Sequence, residues 1–194
     1  MDRTNRQYRS MPVQFTTRNA EGQTGPVIAG YFAVFDTQYE MYPDCFEKIA
    51  RGAFSGCLGD DVRALIDHDT RLVIGRTTVG TLILREDDHG LYGEIKINEA
   101  DTDAMNLYAR VQRGDVSQCS FGFDIIAEGY EVSPDGRKCT WTIREVKLYE
   151  VSVVTFPAYE ATAVEARSES AQHLNHKRLE RRKHDLIERM KNKC

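Results

Sequence analysis

The chain is poor in the features that mark many small folds. It has five cysteines, an odd number, with no CxxC pair. That pattern argues against a disulfide framework and a structural zinc site, and predicts reduced thiols throughout. Nowhere does an apolar run reach the roughly 18 residues of a membrane-spanning helix, so no membrane partner is expected. The opening stretch MDRTNRQYRSMPVQF has no apolar segment of signal-peptide length, which predicts a protein that stays in the cytoplasm of the cell that makes it. There is no GxSxG, so no nucleophile elbow can be invoked. GRTTVGT lacks the GK[ST] ending of a phosphate loop, and its glycines read as bends in a sheet. Internal repeats and low-complexity tracts are absent as well. What remains is ordinary for a globular protein: 194 residues, 41% hydrophobic and 29% charged, enough to bury a sizeable core.

The net charge of −4 conceals an asymmetry. Residues 1–166 hold 17 Lys+Arg against 26 Asp+Glu, a net of −9; residues 167–194 hold 9 against 4, a net of +5. The basic end is therefore a compositionally separate piece. Three segments are expected: a flexible start over 1–11, a folded domain over 12–166, and a basic helical extension over 167–194. In that extension Leu174, Leu179, Leu186, Ile187 and Met190 are sparse apolar positions on a polar helix.

Between these ends the pattern is β. PVQFTT, VIAGYFAVFD, VRALIDH, VGTLILRE, GLYGEIKI, SQCSFGFDII, KCTWTI and KLYEVSVVTF are short and rich in β-branched and aromatic residues. EDDHG and SPDGRK read as the turns of two hairpins. EKIARGAF reads as a short helix or helical turn. DTDAMNLYARVQRG reads as a longer one, capped by Asp101 or Thr102, with Leu107, Tyr108 and Val111 as its apolar stripe and Gly114 at its end. The expected class is mainly β with helices (α+β): a curved antiparallel sheet or barrel ringed by a few helices.

Some polar residues lie within apparent strands. Glu150 sits among apolar neighbours on both sides of KLYEVSVVTF, where an unpartnered carboxylate is costly. His68 ends the strand of ALIDHDT. Ser120 shares a strand face with Gly122 and Asp124, opposite Cys119, Phe121 and Phe123. Histidine, serine and a carboxylate on one sheet are the outfit for acyl transfer, and Glu150 as the orienting acid would account for its place. Each also has an ordinary reading: a packed histidine, a strand serine, or a glutamate paired with a lysine or arginine. Asp69 is the alternative acid, but adjacent strand residues face apart. Cys119 is an alternative nucleophile, but alternation points it away from Ser120 and into a core. The pair His68 and Asp69, with His89 in a turn, does not make the full ligand set a metal needs, so no metal or other cofactor is expected.

Seven segments occur in order: IAGYFAVFD, RGAFSGCL, ALIDHD, IGRTTVGTL, EDDHGLYGEI, RGDVSQCSFGFDI and LYEVSVVTFPAY. Together they resemble the prohead protease family of tailed bacteriophages, serine peptidases of capsid maturation that are themselves similar to herpesvirus assemblin. The resemblance implies His68 and Ser120 as the catalytic pair and Glu150 as the third member. Assemblin has a second histidine at that place, so a Ser-His-Glu set is implied. It further implies an assemblin-like fold and action inside the assembling prohead in the host bacterial cytoplasm. The major capsid protein precursor and scaffold would be its substrates; a further copy of the chain, in a homo-oligomer, is the other partner considered, and nucleic acid is not an expected one. The rival reading is a non-enzymatic scaffold or capsid-assembly protein with a β core and a basic binding tail. A self-inflicted cut is expected in residues 160–172, where AYEATAVEARSESAQ is small and polar.

Overall fold

The computed structural model describes residues 6–19 and 25–156. The chain order is β1 (Gln7–Pro12), β2 (Thr16–Asn19), β3 (Pro26–Val34), β4 (Tyr39–Tyr42), β5 (Cys45–Ile49), β6 (Arg63–Ile66), β7 (Asp69–Arg76), β8 (Leu82–Glu86), β9 (Gly90–Lys96), α1 (Thr102–Arg113), β10 (Gln118–Val132) and β11 (Cys139–Val154). A short 3-10 turn, Thr77–Val79, links β7 to β8.

The mainly β expectation holds, with corrections. Among the described residues the strands form two open sheets and no closed barrel. One sheet runs β1-β10-β11-β5-β4, with β6 also on β11 and β7 on β6; the other runs β2-β3-β9-β8. The larger sheet is not wholly antiparallel, because β5 and β6 both join β11 in parallel, at opposite ends of that long strand. Among the described residues a single α-helix stands where a ring of helices was expected. The stretch from Glu47, read as a short helix or helical turn, begins as the end of strand β5 and only then continues as turns, with the Ala53 N–H on the Ala50 carbonyl. The polar start does not fray over residues 7–11: β1 pairs with β10 along its length. The basic helical extension lies outside the described residues.

α1 forms as its caps dictate. The Asp101 carboxylate accepts from the Asp103 and Ala104 N–H groups, and Gly114 takes φ 86° to close the last turn. Ala104, Leu107, Tyr108 and Val111 are buried. The core is continuous across both sheets: Ile28, Phe32 and Ile95 from the smaller sheet meet Phe121, Phe123, Val151 and Val153 from the larger. Phe121 stacks on Phe123 at 4.8 Å and meets Phe54 edge-on at 5.6 Å.

The expectation of reduced thiols fails at one pair. Parallel pairing of β5 with β11 sets Cys45 opposite Cys139, and the two are disulfide-bonded across a separation of 94 residues. A search for close spacing cannot see that contact, since the fold alone creates it. Near β1, the Arg9 guanidinium grips the buried Glu47 carboxylate with two nitrogens, Nε on Oε1 and Nη2 on Oε2.

Candidate active site

One irregularity in β11 decides where Glu150 goes. Gly122 lies opposite Glu150 but the next residue of β10, Phe123, lies opposite Leu148, so Tyr149 is an extra residue. Such a bulge reverses the alternation of side chains beyond it. Val146 and Leu148 therefore face the core before the bulge, and Val151 and Val153 face it after. Strict alternation placed Leu148 and Glu150 on one face; the bulge separates them. Glu150 and Ser152 turn to the opposite face, and the Tyr149 hydroxyl donates to Asp124 Oδ2 at 2.6 Å.

On that opposite face the register aligns Ser10, Ser120 and Ser152 in one row, and Tyr8, Gly122 and Glu150 in the next. Gly122 is required by close approach. A Cβ there would stand 2.5 Å from Glu150 Oε1 and 2.9 Å from Tyr8 Cε1.

His68 reaches the same place from a turn, and not from the end of a strand as ALIDHDT suggests. Ile66 pairs with Asp69, so Asp67 and His68 form a two-residue hairpin loop. Both have positive φ, 48° and 61°, as a type I′ turn demands. Asp and His are among the non-glycine residues that enter this region most readily. β6 in turn is seated on β11 by the pairs Glu150 with Arg63 through Val153 with Ile66.

The structure thus brings His68 and Glu150 into direct contact: Nδ1 lies 2.7 Å from Oε1. The other carboxylate oxygen, Oε2, accepts from the Ser152 hydroxyl at 2.5 Å. Glu150, buried, so has the partners that its setting requires. Sequence reasoning assigns Ser152 no role, although its parity with Glu150 is a signal for one. The Tyr8 ring meets the imidazole edge-on at 4.7 Å.

Ser120 shares this face and is fully buried. Its Oγ and His68 Nε2 are both buried without a hydrogen-bond partner among the described residues, so the two are not bonded to each other. Unpaired buried polar atoms are costly, and each asks for an explanation.

The alternatives are placed elsewhere. Asp69 is bound by Arg71, whose Nη2 donates to its Oδ2 at 2.7 Å, and this holds its carboxyl down at about 2. Cys119 lies on the core face, and burial pushes its thiol up to about 12, so it is not a ready nucleophile. His89 sits in the β8–β9 turn against the Tyr31 ring.

A family model described as Caudovirus prohead serine protease matches residues 13–177. The chain belongs to that family. It is a prohead protease, of the kind that serves bacteriophage capsid maturation. Among solved structures, this prohead protease is similar to the bacteriophage T4 capsid assembly protease, gp21, at 11% identity and a TM-score of 0.49, over 77% of this chain and 96% of that one. No curated protein matches the chain.

Proposed function

We propose that this prohead protease is a serine endopeptidase in which Ser120 is the nucleophile, His68 the base and Glu150 the orienting acid. The observation that carries the reading is the pair of unsatisfied buried atoms, Ser120 Oγ and His68 Nε2, beside a His68 whose other nitrogen is held by Glu150. An ionised Glu150, already accepting from Ser152, has only acceptor capacity left for His68. Nδ1 therefore carries the hydrogen and Nε2 presents its lone pair. On substrate binding Nε2 takes the Ser120 proton while Oγ attacks the scissile carbonyl. The imidazolium, stabilised by Glu150, returns that proton to the leaving amine. Water then repeats the sequence on the acyl-enzyme. On this reading the Oγ–Nε2 contact closes when substrate binds, as catalytic hydrogen bonds often tighten only then.

Capsid-protein precursors and scaffold are the proposed substrates, inside the assembling prohead. The folded unit is taken as 12–166, joined by β1, with the basic segment 167–194 as a removable tether. A fluorophosphonate probe tests the reading. It should label wild-type protein on Ser120 alone, and Ser120→Ala should neither label nor cleave capsid precursor. Labelling at another serine, or none in an active preparation, refutes it.

A further inference from the structure

We propose that Asp67 is a positioning residue for the base, clamping the β6–β7 turn onto the end of β11. The inference rests on the reading of His68 as the base. A two-residue turn with both φ values positive favours Asn-Gly, and neither residue here is glycine. Left to itself, such a turn holds its conformation poorly. Three contacts secure it, all to one place. The Asp67 N–H donates to the Val153 carbonyl at 3.1 Å. Asp67 Oδ1 accepts from the Thr155 N–H at 2.7 Å, and Oδ2 accepts from the Thr155 hydroxyl at 3.2 Å.

The direction of these contacts separates Asp67 from ordinary turn chemistry. An aspartate that stabilises only its own turn bonds backbone two residues on, as Asp69 does by accepting from the Arg71 N–H at 2.9 Å. Asp67 reaches 88 residues along the chain instead. Its target is the end of the strand that carries Glu150. Turn and strand are thus fixed to each other at three points: His68 on Glu150, the Asp67 N–H on the Val153 carbonyl, and the Asp67 carboxylate on Thr155. With the carboxylate lost, one backbone bond and the His68–Glu150 contact remain, and Nε2 gains room to swing relative to Ser120.

The test compares Asp67→Gly, which tolerates the turn but loses the clamp, with Asp67→Asn, which keeps an acceptor for the Thr155 N–H. The readouts are the rate of fluorophosphonate labelling, thermal melting, and the downfield proton resonance of the His68 Nδ1–H bonded to Glu150. Asp67→Gly should label about 10- to 100-fold more slowly, as expected for a displaced catalytic group, with the resonance lost or broadened. Asp67→Asn should recover both. Wild-type labelling speed in Asp67→Gly overturns the clamp, as does slow labelling in both variants with the resonance intact. Amide exchange in the wild-type protein decides the matter even where Asp67→Gly fails to fold. The exposed Thr155 N–H should be protected, and exchange at the unprotected rate overturns the proposal. A wild-type protein that does not label at all refutes the serine-protease reading itself, a different outcome from any of these.

Discussion

Gly122→Ala is a substitution of a single methyl group aimed at the acid and not at the nucleophile. The added Cβ would stand 2.5 Å from Glu150 Oε1, where a carbon and an oxygen settle no closer than about 3.3 Å. Oε1 must then retreat by roughly 0.8 Å on that contact distance, and Tyr8 on the other side, at 2.9 Å from the same Cβ, leaves little room for the new carbon to shift. Oε1 is the atom that holds His68 Nδ1 at 2.7 Å, and a retreat of that size carries the pair beyond good hydrogen-bond distance. A hydrogen bond to a charged group contributes about 1.5–3 kcal/mol, which corresponds to a rate loss of about 10- to 150-fold. The fold should survive, since the colliding atom ends a flexible side chain; overpacking of this kind costs about 1–3 kcal/mol. Labelling by the fluorophosphonate, followed beside thermal melting, reads both quantities. A folded Gly122→Ala with wild-type labelling speed would mean that the Glu150–His68 contact contributes nothing to the reaction.

His68→Ala should be as damaging as Ser120→Ala, and Glu150→Gln less so, because an orienting acid can cost less than the other two members of a catalytic unit; cleavage of capsid precursor ranks the three. Glu47→Gln should leave Arg9 as a buried charge with a poorer partner, at a cost of about 3–5 kcal/mol, and a melting temperature unchanged within error would contradict it. Incubated alone, wild-type protein should lose its basic end by a cut in residues 160–172 and Ser120→Ala should not; mass spectrometry showing the same trimming in both would end the case for self-cleavage. Alkylation after denaturation without reductant should spare Cys45 and Cys139, while reduction should lower stability, by up to about 4.7 kcal/mol for a loop of this length.

The features legible in the sequence were those settled by neighbours along the chain. The caps of α1, the turns after Glu86 and around Gly136, and the alternation around Ser120 all depend on a few adjacent residues. What escaped depends on partners far away. The bulge at Tyr149 exists because β10 is one residue shorter opposite it, and nothing within KLYEVSVVTF announces that. The turn at Asp67 and His68 lacks the glycine that usually betrays it. Glu47 read as helical because its apolar and polar neighbours fit a helical period, and tertiary pairing with Arg9 and β11 overrode the local preference. Even so, the histidine and the glutamate singled out from sequence are the two that touch.

The parallel seating of β6 on β11 also bears on when the molecule can act. His68 leaves the ribosome early, but the residue that holds it lies 82 positions later. At about 5–20 residues per second, synthesis alone separates the two by several seconds. Pairing of such distant strands is itself slow, because a long loop must close before any contact rewards it. On the proposed mechanism a growing chain is therefore inert toward the capsid proteins being made beside it. Competence comes in one step, when β11 arrives, and any fragment ending short of it would remain silent.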